Sequence, residues 1–236
     1  MLYFFRKKRY TESGKENPAS RTHANPLKGE INMKKIMITI SREYGSGGHD
    51  IGKALAEKLG LPFYDNELIA MAARDSGHGE AAFEQAESGH TNSFTMAMSR
   101  LAGTSGYKMP LNDQLFMIQH SMIRTIADAG SAVFVGRCAD YVLEGYAPCV
   151  NIFIQADRAD RIKTVIKRDN LVLDEAEKKI DRMDKSRATY YNYYTDRKWG
   201  DRSNYDIILN SSIGTEAAVD LLAAYIRSKV PDLELG

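Results

Sequence analysis

Five short apolar runs recur along the chain, and helical spacing fills most of the intervals between them. The runs are Ile36-Met37-Ile38-Thr39-Ile40, Leu61-Pro62-Phe63-Tyr64, Ser131-Ala132-Val133-Phe134-Val135, Cys149 to Ile154 and Tyr205 to Leu209. Their β-branched and aromatic content predicts short buried strands. After the first run, Ile51, Ala54, Leu55 and Leu59 fall at helical spacing, and Gly60 provides a stop. Leu68, Ile69 and Met71 follow the second run, behind a cap at Asp65 or Asn66. Leu115, Phe116, Ile118, Met122, Ile123 and Ile126 share one face of a helix that Asn112 or Asp113 caps and Gly130 ends. Arg158 to Asp169 and Asp174 to about Tyr194 read as charge-rich helices, and Thr215 to Lys229 as a closing amphipathic one. Strands alternating with helices predict an α/β fold, a doubly wound, mainly parallel five-stranded sheet with helices on both faces.

Two stretches break the pattern. Residues 1–32 are basic and then rich in Ser, Asn, Gly and Pro, without periodicity. They are expected to be a disordered extension or an over-extended translation start, with Met33 a natural beginning for a domain over 33–230. The apolar Leu2-Tyr3-Phe4-Phe5 is too short for a signal peptide. Between about 76 and 110 the order loosens among glycines 77, 79, 89, 103 and 106, with helical pieces near Ala81–Glu87 and Phe94–Leu101. This segment is expected to be a flap on the substrate side. His78 and His90 lie in it and read as solvated rather than as metal ligands.

Composition narrows the class. At 236 residues and a net charge of +1, bulk charge argues for neither a nucleic-acid nor a membrane partner. No apolar run reaches membrane-spanning length. The cysteines number two, Cys138 and Cys149, which fits a reducing, cytoplasmic setting. Oligomeric state is not legible.

The chemistry gathers after the first strand. Tyr44-Gly45-Ser46-Gly47-Gly48 joins that strand to a helix, an arrangement that aims backbone N–H groups and a helix N-terminus at an anion. Two registers compete. Gly47 to Lys53 nearly meets G-x-x-x-x-G-K-[ST], but Ala54 replaces the hydroxyl residue and the match begins six residues after Ser41. In the other register the loop begins near Ser41, and Lys53 sits in the helix off its buried face. The ends of the other strands carry Asp65, Gly136-Arg137, Asp157-Arg158 and Asn210-Ser211. Ligands of doubly wound sheets bind there. Arg137, after a glycine, can fork a phosphate; the competing role is a salt bridge to Asp140 or Asp65.

Three blocks in order, ITISREYGSGGHDIGKALAEKLGLPFYD, VFVGRCADYVL and DKSRATYYNYYTDRKWGDRSNYDIILNSS, resemble the cytidylate kinase-like family. The resemblance runs roughly from Lys34 to Arg227. It implies an ATP-dependent kinase of a nucleoside monophosphate, CMP or dCMP first, with ATP and Mg²⁺ as cofactors and nucleotides as partners. It implies a helical lid over about 157–200, whose arginines close over the phosphates. Arg137, Arg187, Arg158 and Arg161 become the catalytic candidates, although composition alone makes the last two part of a solvated charged face. Arg42, Gly45, Ser46, Gly47, Gly48, His49 and Asp50 become the ATP-binding candidates. Asp65, Arg137 and Asp184 become the acceptor-side candidates, Asp184 as an orienter of Arg187. Tyr190, Tyr191, Tyr193, Tyr194 and Trp199 read as packing of lid on core, with base stacking as the alternative.

The chain also departs from the family pattern. Gly48 stands where the loop lysine is expected, and Asp50 where the hydroxyl residue is. Arg42, His49 or Lys53 is then left to supply the charge. No aspartate ends the third strand, so Mg²⁺ is expected to rest on phosphates and waters, with no protein metal-ligand set. The arginine expected shortly after Asp65 is missing. A regulatory nucleotide-binding module without turnover, or a kinase for another small acceptor, are the alternatives.

Overall fold

The computed structural model describes residues 35–75, 110–146 and 148–231. All of them belong to one compact unit, Met33–Gly236. The expected extension over 1–32 and the body of the expected flap, 76–109, lie outside the described residues.

Five parallel strands form the sheet: β1 (Met37–Arg42), β2 (Phe63–Tyr64), β3 (Ala132–Val135), β4 (Cys149–Gln155) and β5 (Ile207–Asn210). Their order is β2-β3-β1-β4-β5. The alternation in β1 explains both layers. Ile36, Ile38 and Ile40 join one core with Val150, Ile152 and Ile154; Met37 joins the other with Phe134. The first core is covered by α1 (Gly48–Leu59) and α7 (Thr215–Lys229). The second is covered by α2 (Asn66–Asp75), α3 (Leu111–Ala129) and the single turn α4 (Ala139–Val142). Ile51, Leu55 and Leu59 of α1 are fully buried, each contributing roughly 1.5–3 kcal/mol.

Glycines set the ends of α1. Gly47, at φ 71°, precedes its first turn, and Gly60, at φ 65°, returns its N–H to Glu57 O. At α2 the expected cap is present: Asp65 Oδ1 accepts from the N–H groups of Glu67 and Leu68, both at 3.0 Å. At α3 it is not. The helix begins at Leu111 with Pro110 as its N-cap, ahead of Asn112 and Asp113. The Asp113 carboxylate instead accepts from the Tyr194 hydroxyl.

Helices α5 (Arg158–Asp169) and α6 (Leu173–Thr195) form an antiparallel pair beyond the carboxyl ends of β4 and β1. Val165, Ala176 and Ile180 make their small shared core, against which Tyr44 packs. This pair occupies the expected lid region. The aromatic residues there split into two groups rather than one. Trp199 packs on Phe153 beside Tyr205, whereas Tyr190, Tyr193 and Tyr194 gather with Phe116 of α3. No described helix is long and apolar enough to cross a membrane.

Candidate active site

The loop after β1 is held from three sides. Arg161, buried, donates Nε–H to Tyr44 O at 2.9 Å, and its guanidinium pairs with Asp184 and, at 3.3 Å, with Glu43. Asp184 in turn accepts the Tyr44 N–H at 2.7 Å. The Tyr44 hydroxyl reaches Asp169 at 3.0 Å, and Arg168 and Arg187 flank its ring at 4.6 and 5.3 Å. The loop therefore takes its conformation from α5 and α6 as much as from its own glycines. Ser46, buried, closes the turn by donating to Glu43 O, while its own carbonyl accepts from Ser211 Oγ.

Gly45 and Gly47 adopt positive φ, 82° and 71°. A Cβ on Gly45 would lie 2.9 Å from Arg161 O, so backbone presses on backbone there. No side chain caps α1. The first-turn N–H groups have no intrahelical partner. They face a hollow of about 220 Å³ bounded by Arg42, His49, Asp50, Arg168 and Arg187. Lys53 is exposed on α1 and does not line this hollow. Lys53→Ala is accordingly expected to leave ATP affinity within about threefold, or roughly 0.7 kcal/mol, by titration calorimetry. A loss as large as that from a valine in the loop would place Lys53 on the phosphates instead.

The second hollow, of about 290 Å³, opens between β1, β3 and α6 and is shared by Arg42, Arg137 and Arg187. Arg137 is set there by a run of three left-handed residues, Gly136, Arg137 and Cys138, at φ 81°, 57° and 55°. Two of the three are not glycine, a conformation that costs of order 1 kcal/mol or more each and that clusters at functional sites. The Arg137 guanidinium lies 5.3 Å from the Tyr190 ring centre. It makes no salt bridge to Asp140 or Asp65. Asp140, buried, accepts from the Tyr191 hydroxyl at 2.6 Å, and Asp65 faces His49 Nε2 at 3.0 Å. Burial pushes the Asp65 carboxyl up, but the Leu68 N–H and His49 outweigh it and hold the group below its ordinary value.

Arg187 donates to Arg42 O at 2.9 Å. Asp184 forms its ion pair with Arg161, and its charge also acts on Arg187, the residue the sequence paired it with. Among the described residues no carboxylate lies within ion-pair distance of Arg42, Arg137 or Arg187, whereas Arg158 pairs with Asp181 and Arg168 with Asp169. Burial first, then Arg187 and Arg137, push the Arg42 guanidinium down to about 9, with Asp65 partly opposing. Burial also lowers Arg187.

A third and larger hollow, about 770 Å³, continues past Arg137, Ser186 and Tyr190 toward α3. Phe116 and Tyr194 stack on its wall at 4.0 Å and 7°. Four buried side-chain atoms lack a hydrogen-bond partner among the described residues: Arg42 Nε, Gln119 Oε1, Tyr190 Oη and Tyr205 Oη. The first three belong to residues lining the second and third hollows. Phe116 and Gln119 were missed from the sequence, where they sit inside a helix whose apolar face accounts for its pattern.

The three hollows thus form one path, with arginines at each junction. No described group of three or more His, Cys, Asp or Glu is placed to hold a metal.

Comparisons with known proteins agree with this frame. The chain is similar to a cytidylate kinase of Methanothrix thermoacetophila, 24% identical over 82% of this chain and 99% of the relative. It is similar to the crystal structure of an uncharacterised protein from Eubacterium ventriosum, with a TM-score of 0.64 and 29% identity over 82% of this chain and 99% of that one. A Thermus thermophilus protein shares the fold alone, with a TM-score of 0.50 and 17% identity over 84% and 98%. The cytidylate kinase-like family matches residues 37–213. The chain belongs to the cytidylate kinase-like family and is a phosphotransferase, a small-molecule kinase using a nucleotide.

Proposed function

We propose that the protein transfers the terminal phosphoryl group of ATP to a nucleoside monophosphate, CMP or dCMP, in the cytoplasm. The observation that carries this reading is the convergence of Arg42, Arg137 and Arg187, with no carboxylate at ion-pair distance among the described residues, where the loop hollow meets the larger one. Arg42, part-buried, carries Arg187 and Arg137 as like-charged neighbours, and a phosphate anion offsets that cost. Phosphoryl transfer asks for this kind of site, with two phosphate groups held in line and positive charge around the transferring one.

In this reading the Gly45–Gly48 backbone and the first turn of α1 hold the ATP phosphates, with Arg168 and Arg187 beside them. The acceptor fills the third hollow. Its phosphate meets Arg137, and its base lies along the Phe116–Tyr194 pair. Gln119 Oε1, without a partner among the described residues, suits an exocyclic amino group such as that of cytosine. Mg²⁺ bound with ATP would supply charge neutralisation at the phosphates. It commonly keeps several waters and one or two carboxylates, and Asp50, exposed at the loop hollow, offers one. Asp65 and His49 link the loop to α2 and position both.

Arg137→Lys tests the reading. A point charge cannot replace the fork, so kcat/KM for CMP is expected to fall tenfold or more with folding unchanged. Unchanged kinetics would return Arg137 to a packing role against Tyr190. The lysine-free loop favours a second reading, a regulatory nucleotide-binding module. That reading predicts ATP affinity without ADP release.

A further inference from the structure

We propose that Arg42 is the cation that the glycine loop lacks, delivered to the transferring phosphoryl group from the end of β1 instead of from the loop. This deepens the kinase reading and rests on it. In phosphate loops the lysine follows the last loop glycine and reaches the β- and γ-phosphates. Here that position is Gly48, and the loop segment Gly45–Asp50 contains no lysine or arginine. The space a side chain would use is already occupied. A Cβ built on Gly48 would lie 2.5 Å from Arg42 Cβ and 3.0 Å from its Cγ, with Ile154 Cβ at 3.1 Å. The stem of Arg42 therefore runs where the stem of a loop lysine would start.

The head of Arg42 continues in the functional direction. It borders both the loop hollow and the second hollow, and no other arginine except Arg187 among the described residues borders both. Its Nη1 lies 2.5 Å from where a Cβ of Gly136 would stand, so Gly136 is the only residue that admits it without displacement. Its Nε is buried and without a hydrogen-bond partner among the described residues, and its charged neighbours are Arg187, Arg137 and, beyond ion-pair distance, Asp65. A guanidinium buried for packing alone would be expected beside a carboxylate, as Arg161 is beside Asp184. Arg42 has the surroundings of a group completed by an anionic ligand. The two glycines, Gly48 and Gly136, are then the two ends of one slot cut for this side chain.

The test is a reciprocal exchange. Arg42→Met is expected to weaken ATP affinity about tenfold by calorimetry and to lower kcat/KM by about a hundredfold or more. Gly48→Lys alone is expected to lose ATP, because its Cβ meets the Arg42 stem. Arg42→Gly combined with Gly48→Lys clears the slot and returns a cation to the phosphates, and is expected to recover activity at least tenfold over Arg42→Gly. Circular dichroism and thermal melts establish that each variant is folded. A folded Arg42→Met within threefold of wild type in both readouts would overturn the inference. So would a folded double variant no better than Arg42→Gly. A wild-type protein that binds ATP but never releases ADP would instead refute the kinase reading, leaving the affinity arm to decide the role of Arg42.

Discussion

Gly48→Val is expected to abolish ATP binding, by a factor beyond about a hundred, while the protein remains folded. The reason is local and rigid. The added Cβ would stand 2.5 Å from Arg42 Cβ and 3.1 Å from Ile154 Cβ, atoms close to the backbones of β1 and β4 that cannot swing aside. The first turn of α1 has to move out, carrying with it the N–H groups that face the loop hollow. Valine is tolerated within helices, so the rest of α1, anchored by Ile51, Leu55 and Leu59, stays in place. Gly47→Val provides the contrast. Nothing lies within 4 Å of its Cβ position, and its penalty comes only from φ 71°, roughly 1–3 kcal/mol of backbone strain. Calorimetric titration with ATP, alongside circular dichroism, distinguishes the two. Retained ATP affinity in Gly48→Val would mean that this loop does not hold the phosphates.

Arg161→Met is expected to be the most destabilising single change in α5 and α6, at about 3 kcal/mol. The methionine fills much of the same volume but leaves Asp184 without its cation, Glu43 without its 3.3 Å partner and Tyr44 O without its donor. Asp184 and Glu43 keep some contact with solvent, which holds the cost to the lower part of the range for broken buried pairs. For a domain of this size the melting temperature should fall by about 6–12 °C. Adding Asp184→Leu to Arg161→Met should return part of the loss, since the stranded charge is then gone. A melting temperature within 2 °C of wild type for Arg161→Met would show that the clamp on Tyr44 carries no weight.

These residues also show what a sequence exposes and what it hides. The strands and most helices were legible because apolar periodicity reports burial directly, and β1 displays both faces of the sheet in six residues. The strand order was not, since nothing local says that β1 lies between β3 and β4. Arg161 read as one of a row of solvated charges. Its partners, Glu43 and Asp184, are distant in sequence, and only the docking of α5 and α6 on the loop buries them together. The left-handed Arg137 and Cys138 were equally silent, because glycine is the residue that advertises such a backbone and neither is one. For Arg42 the sequence went halfway. It showed a loop without a lysine and an arginine six residues before Gly48, but not that the one occupies the space beside the other.

Phosphoryl transfer to a nucleoside monophosphate is read directly by identifying the products. Wild-type protein is incubated with ATP, Mg²⁺ and CMP, and products are read by phosphorus nuclear magnetic resonance, with dCMP, UMP, AMP and GMP in parallel. The expected products are ADP and CDP in equal amounts, or ADP and dCDP with dCMP, with slower turnover of the other acceptors. ATP that binds, but yields no ADP above background with any of the five, would contradict the kinase reading.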